Sequence, residues 1–233
     1  MAGKAGMVED RQVSWRIFPM KNESLSNKIL LSCKDSQALD KNAQKEWGFN
    51  VYSLIEAAGR SCAHVFNTAF PDFFNNGPRI TVTAGTGNNG ADAMVMLRYW
   101  LLCGLAESSA STLIVKRLPK SGEKAPWIDL LLSLKKMNVK IISWEEECKK
   151  HILGKIFSQS DIIIDGIAGT GLKGPLHGSA AEMVSTINKF KSKGMNKRPF
   201  VISVDLPSGN SDQWEPGKPI IKADLTQIGR AHV

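Results

Sequence analysis

Arg79-Ile80-Thr81-Val82-Thr83-Ala84-Gly85-Thr86-Gly87-Asn88-Asn89-Gly90-Ala91-Asp92 decides how the rest of the chain is read. The first half is a run rich in β-branched residues, and the second is a glycine-bearing loop that leads towards a helical stretch. Glycines 85, 87 and 90 fit the spacing G-x-G-x-x-G. In that pattern glycine permits positive φ and close approach of a ligand, while the helix N-terminus offers unpaired N–H groups to an anion. A simple dinucleotide-binding loop also expects an acidic residue at the end of the next strand, for the ribose hydroxyls. Here that strand ends at Lys116-Arg117, which can tolerate a 2′-phosphate and weakens a plain NAD reading. Asn88 and Asn89 offer carbonyl oxygens and amide donors suited to a hard cation or a ligand amide. Paired asparagines beside glycine equally make turns.

Outward from this stretch the chain alternates. Asp35–Trp47 and Val51–Phe70 read as helices, followed by a break at Pro71 and Asn75-Asn76-Gly77-Pro78. Strand-like runs then occur at Arg79–Ala84, Thr112–Lys116, Val139–Ser143, Asp161–Asp165 and Phe200–Asp205. Helical stretches lie between them at Ala91–Cys103, Ala125–Met137, Glu145–Phe157 and Ser179–Phe190. Strands alternating with helices of this length imply right-handed crossovers and a mostly parallel sheet, covered on both faces. In such a sheet the carboxyl ends of the strands share one edge, and ligands bind there.

Two further loops arrive at that edge. Asp165-Gly166-Ile167-Ala168-Gly169-Thr170-Gly171 places an aspartate at the end of a buried strand, where an unpaired charge is costly and needs a cation or donor. The segment Gly169-Thr170-Gly171-Leu172-Lys173-Gly174-Pro175 suits an anion cradle, with Lys173 as a point charge for phosphate. Asp205-Leu206-Pro207-Ser208-Gly209 brings a carboxylate and a hydroxyl, with Pro207 holding the residue before it extended. Three such loops describe one composite site for a phosphate-bearing small molecule. Asp205 is the leading candidate for acid–base chemistry, and Ser208 reads as an oxygen ligand. A serine-hydrolase triad lacks its base, because His64, His151 and His177 read as helix or helix-entry residues. A reductase would need a Tyr-x-x-x-Lys pair, and neither Tyr52 nor Tyr99 supplies one.

Composition bounds the alternatives. With 233 residues, 42% hydrophobic and 22% charged, the chain suits one sizeable soluble domain. No apolar stretch approaches the roughly 20 residues of a membrane span, so no membrane partner is expected. Cys33, Cys62, Cys103 and Cys148 are widely spaced, which points to reduced thiols in a cytoplasmic protein. The net charge of +8 is concentrated at Lys116–Lys124 and Lys189–Arg198 without interleaved aromatics. A solvated surface is therefore preferred to a nucleic-acid partner, although a basic chain still attracts an anionic nucleotide.

With these residues in view, the chain resembles the NAD(P)H-hydrate epimerases of the YjeF N-terminal domain family from about Ile29 to Gln227. The resemblance rests on Gly87-Asn88-Asn89-Gly90-Ala91-Asp92, on Asp165 with Gly169-Thr170-Gly171, and on Val204-Asp205-Leu206-Pro207-Ser208-Gly209. Leu54-Ile55-Glu56-Ala57-Ala58-Gly59 is similar to the family's N-terminal helix. It implies a Rossmann-like three-layer α/β/α sandwich, a potassium ion, and interconversion of the two epimers of hydrated NADH and NADPH. Carried onto this sequence, the potassium ligands are Asn89, Asp165 and Ser208. The substrate is gripped by Asn88, Asn89, Gly90, Ala91 and Asp92, by Gly169, Thr170, Gly171, Leu172, Lys173, Gly174 and Pro175, and by Asp205, which is also the catalytic residue. The implied partners are a homodimer mate and a fused or separate ADP- or ATP-dependent NAD(P)H-hydrate dehydratase. Relatives that serve as scaffolds in mRNA-decapping enhancers supply the alternative, a non-catalytic nucleotide-binding or scaffold module.

Two departures from the family pattern stand out. Ala91 and Ala93 replace glycines, and an added methyl costs roughly 1 kcal/mol wherever φ is positive. The family also continues through further strands beyond the position of Gln227, so a sheet truncated at the C-terminus is expected. Residues 1–27 read as a flexible arm, with Met20 a possible start, and 28–227 as the epimerase domain. Ile228-Gly229-Arg230-Ala231-His232-Val233 resembles the translation of a common sequencing adapter, the alternative being an ordinary short tail.

Overall fold

The alternation of apolar runs produces one parallel sheet. In the computed structural model, which describes residues 32–146, 150–192 and 198–227, the strands are β1 (Ile80–Ala84), β2 (Ser111–Val115), β3 (Lys140–Ser143), β4 (Ile162–Gly166), β5 (Phe200–Val204) and β6 (Leu225–Gln227). The expected N-terminal arm with Met20, Cys148, and the tail with His232 lie outside the described residues. The strand order is β3-β2-β1-β4-β5-β6, and every pairing is parallel. This is the order of the doubly wound dinucleotide-binding folds, with its reversal point between β1 and β4.

The helices are α1 (Cys33–Glu46), α2 (Val51–Ala69), α3 (Asn88–Leu102), α4 (Pro126–Lys136), α5 (Lys150–Gln159) and α6 (Gly178–Ser192). Strand side chains alternate between two cores, as the pleat requires. Ile80, Val82, Leu113, Val115, Ile162, Ile164 and Ile202 pack with α2, α3 and α4. Ile114, Ile142, Ile163 and Val201 pack instead with Leu153 and Phe157 of α5 and Met183, Val184 and Ile187 of α6. Both faces of the sheet are covered, which is why its strands read as nearly continuous apolar runs. Gly59 lets α2 and α3 approach closely, since a Cβ there would lie 2.5 Å from both the Asp92 carbonyl and the Val95 Cβ. Among the described residues no helix is long and apolar enough to cross a membrane.

Most elements lie within two residues of the expected boundaries, and three depart further. α3 begins at Asn88 rather than Ala91, with Gly87 as its N-cap and no capping side chain. Glu145 does not open α5, whose described span is Lys150–Gln159, because Trp144 and Glu145 remain tied to the strand layer through N–H bonds to the Val115 and Lys116 carbonyls. β6 was not anticipated. It is three residues long, and it is fixed by the Asp205 N–H bonding to the Gln227 carbonyl and by Asp224, which accepts from the Val201 N–H.

Candidate functional site at the carboxyl edge of the sheet

The loops after β1 and β4 interlock at the reversal point. The Gly85 N–H donates to the Gly166 carbonyl at 3.0 Å, and a side chain at Gly85 would overlap the Ile167 carbonyl. A side chain at Gly90 would overlap the Gly85 carbonyl in turn. Neither position has positive φ, and nor does Gly87. Two of the three glycines of the G-x-G-x-x-G stretch therefore serve backbone-to-backbone packing rather than the positive φ that the pattern suggested. Because α3 starts at Asn88, the paired asparagines form its first turn and not a separate loop. Asn88 is exposed, whereas Asn89 is buried and both polar atoms of its amide lack a hydrogen-bond partner among the described residues. A buried amide left in that state is costly and calls for a ligand.

Asp165, at the end of β4, is fully buried. Its Oδ1 accepts from the Ser208 Oγ (2.5 Å) and the Ile167 N–H (3.2 Å). Its Oδ2 accepts from the Ser203 Oγ (2.7 Å) and the Ser208 N–H (2.9 Å). All four donors are neutral, and no ion pair among the described residues involves this carboxylate. Burial pushes its pKa up, against the opposing pull of the Ser208, Ser203 and Ile167 donors. Ser208 Oγ also accepts from the Ala168 N–H at 2.8 Å. The same Oγ stands 3.0 Å from the Ala168 carbonyl, so its one proton is divided between that carbonyl and Asp165, and one lone pair remains besides the one that meets the Ala168 N–H.

Asp205 follows β5 directly and lies in the left-handed region, at φ 67°. Such geometry is uncommon for a side-chain-bearing residue, although aspartate tolerates it better than most. It turns the chain out of the sheet, and Ser208 then reaches back to Asp165. Asp205 Oδ2 accepts from the Thr170 N–H at 2.8 Å, while its other oxygen carries no hydrogen bond among the described residues. Gly169 lies between the two polar groups of the site. A Cβ there would overlap Asp205 Oδ2 and stand 3.0 Å from Asn89 Cγ. Gly209, at φ 101°, allows the strand-to-loop turn to pass against the Pro219 carbonyl.

The remaining expected residues are arranged more loosely. Gly90, Ala91 and Asp92 are buried in α3, and Asp92 lies with its carbonyl against Gly59. Thr170 is half-buried and Gly171 is exposed with open space around it. Leu172 packs on the second core, Lys173 is exposed, and Pro175 is half-buried. Gly174 has φ 74°, and its carbonyl accepts from Ser211 Oγ at 3.1 Å, which ties the second loop to the third. His64 and His177 are exposed, and no described residues form a cluster of three His, Cys, Asp or Glu that could hold a metal. Arg117 is spoken for within the chain, in a two-bond pair with Glu123 and over the Trp127 ring.

A family profile described as YjeF-related protein N-terminus matches residues 51–227. The chain belongs to this family. An NAD(P)H-hydrate epimerase of Aedes aegypti is 28% identical over 180 residues, covering 77% of this chain and 69% of the relative. A bifunctional NAD(P)H-hydrate repair enzyme, Nnr, of Methanocaldococcus jannaschii is also 28% identical, over 83% of this chain but only 37% of its own length. The crystal structure of the yeast protein ynu0 superposes with a TM-score of 0.68 at 24% identity, covering 85% of this chain and 79% of that one, and shares the fold.

Within this YjeF-related chain the two alanines are accommodated. Ala91 is a buried helical residue without positive φ, so its methyl carries no backbone strain. Ala93 fills the space opposite Gly166, where an added Cβ would come 2.5 Å from its own. Sequence reasoning passed over Ser203, Gln37 and Cys33. Ser203 had a signal, a polar residue inside a buried strand. Gln37 and Cys33 had none, because α1 reaches the site only through the fold. Gln37 Nε2 donates to the Thr170 carbonyl at 2.5 Å. Partial burial raises the Cys33 thiol pKa, helped by the charge and hydrogen bond of Asp212 and by the charge of Asp205.

Proposed function

We propose that this chain interconverts the R and S forms of hydrated NADH and NADPH, with Asp205 as the proton-transferring group. Epimerisation at a carbon bearing a hydroxyl and a ring nitrogen needs reversible loss of that hydroxyl or opening of the ring, and either route moves a proton. Asp205 suits this task because one oxygen is held by Thr170 while the other is free to meet a ligand. The names of the relatives support the reading, and the observation that carries it is the convergence of Asn89, Gly169 and Asp205 at the reversal point of the sheet.

The donor set fits potassium. Among the described residues Asn89 Oδ1 is buried and unsatisfied, Ser208 Oγ keeps a lone pair, and Asp165 is a buried carboxylate without a countercharge. Oxygen ligands of these kinds suit a hard cation. When bound by Asn89, Asp165 and Ser208, potassium would supply a positive charge that balances Asp165 and orients ligand oxygens. The stretch Asn88–Asp92 and the segment Gly169–Pro175 would grip the dinucleotide, using the α3 N-terminus for an anionic group. A homodimer, and a dehydratase partner of the kind suggested by the bifunctional relative, complete the reading.

The test is direct. In potassium buffer the protein should bring purified R-form hydrated NADH to an epimer mixture faster than buffer alone, followed by chromatography. A time course that matches buffer would end this reading.

A further inference from the structure

The two peptide units that meet at Thr170 are each held by a side chain. The Thr170 N–H donates to Asp205 Oδ2 at 2.8 Å, and the Thr170 carbonyl accepts from Gln37 Nε2 at 2.5 Å. Gln37 and Thr170 are 133 positions apart, so this contact is a product of the tertiary fold and not of local chain geometry. It comes from α1, which lies outside the matched family segment of residues 51–227. α1 buries only Ala43 and is otherwise largely solvated, so its packing alone gives little reason for a polar side chain to reach the site. Its first turn approaches the same place, since Cys33 stands beside Asp212 and within the influence of Asp205.

From this arrangement we infer that Gln37 is a positioning residue for Asp205, acting through the Thr170 backbone. Gly169 gives the segment freedom on one side, and Gly171 has open space on the other. Two glycines flanking a residue leave its backbone mobile unless something pins it. The Gln37 amide pins the Thr170–Gly171 peptide, which limits rotation about the Thr170 backbone bonds and so restrains the adjoining Gly169–Thr170 peptide, whose N–H is directed at the Asp205 carboxylate. The second Asp205 oxygen is thereby held in one orientation towards the ligand. Gln37 touches neither substrate nor ion. Its role is to fix the direction of a group that does.

This inference rests on the epimerase reading for its kinetic consequence, but its structural core can be tested without substrate. Gln37→Leu keeps the size of the side chain and removes the donor. The Thr170 amide should then exchange with solvent about tenfold faster in the ligand-free protein, the equivalent of one hydrogen bond. Epimerisation by Gln37→Leu should show kcat reduced about tenfold with KM changed less than about threefold, because orientation is lost and not binding. Gln37→Glu is the discriminating variant. Its carboxyl is a donor only when protonated, so its activity relative to wild type should rise as pH falls towards the ordinary glutamate range. A merely structural loss would leave that ratio flat. Unchanged Thr170 exchange in Gln37→Leu, or a flat pH ratio in an active Gln37→Glu protein, overturns the inference. If wild type fails to epimerise while Gln37→Leu still frees the Thr170 amide, the coupling stands and only the epimerase reading falls.

Discussion

The carboxyl ends of β4 and β5 and the carboxyl end of β2 lie along one edge of the same sheet, yet they treat charge in opposite ways. At the end of β2, Arg117 makes two 2.7 Å bonds to Glu123 and lies over the Trp127 ring. At the ends of β4 and β5, among the described residues, Asp165 and Asp205 have only neutral hydrogen-bond donors, and the Asn89 amide has no partner. A charge neutralised by its own chain contributes to the fold and offers little to a ligand. A buried polar group that the chain leaves incomplete is where a ligand gains most. The difference separates function from scaffolding along an edge whose sequence is polar throughout.

The largest effect should follow from removing the least-satisfied carboxylate. Asp205→Asn keeps the shape of the side chain and should lower epimerisation by about 10²-fold or more, with little change in melting temperature. Wild-type turnover by that protein would break the comparison, since Asp205 would then resemble Arg117, a group important only to the fold. Gly169→Ala should come next. Its methyl must displace Asp205 Oδ2 and crowd Asn89 Cγ at 3.0 Å, and misplacement of this order costs about tenfold to a hundredfold in kcat. The two loops would need to separate without loss of activity for this expectation to fail.

Much of this edge was legible in the sequence. Strand ends within one residue of Ala84, Asp165 and Asp205 followed from apolar runs that stop at glycine or aspartate, and the doubly wound order then places them together. The reasons behind individual residues were less visible. Gly85 and Gly90 read as glycines that admit a ligand to the backbone, and the structure adds a packing reason for each. The loops after β1 and β4 cross at Gly85, and the first turn of α3 closes on the Gly85 carbonyl at Gly90, approaches that the local sequence does not spell out. Lys116-Arg117 read as a phosphate-tolerant pair because sequence gives charge without its partner. Glu123, six positions on, removes Arg117 from that role. The left-handed φ of Asp205 was also hidden, as aspartate does not announce it the way glycine does. β6 and the reach of Gln37 to Thr170 depend on distant parts of the chain, and local periodicity carries no trace of either.

Smaller effects test the charge balance itself. Asp165→Asn removes a buried negative charge, but its amide has only one accepting oxygen. Whichever way it turns, its NH2 group faces a fixed backbone donor, Ile167 N–H on one side or Ser208 N–H on the other. Destabilisation of about 1–3 kcal/mol is expected, read by denaturant titration. Potassium at about a hundredfold excess over its Kd should raise the wild-type melting temperature by about 5 °C relative to tetramethylammonium. Asn89→Ala and Asp165→Asn should lose that increment. Equal potassium stabilisation in all three proteins would place the ion elsewhere.

The satisfied end of the comparison supplies the smallest effect. The Arg117 guanidinium, with help from the Lys120 N–H, lowers the Glu123 pKa from 4.5 to about 2. A carboxyl depressed in the folded state contributes stability above its unfolded pKa, and that contribution is lost as pH falls through the folded value. The stability difference between wild type and Glu123→Gln should therefore be constant above about pH 5.5, shrink as pH falls below it, and vanish only below the folded value of about 2. The effect is small because the pair is partly open to solvent, where screening weakens it. Turnover of hydrated NADH by Glu123→Gln should match wild type at neutral pH. If that variant lost turnover while keeping its stability, the β2 end would belong to the site after all, and the division between satisfied and unsatisfied charge would have to be redrawn to include Arg117.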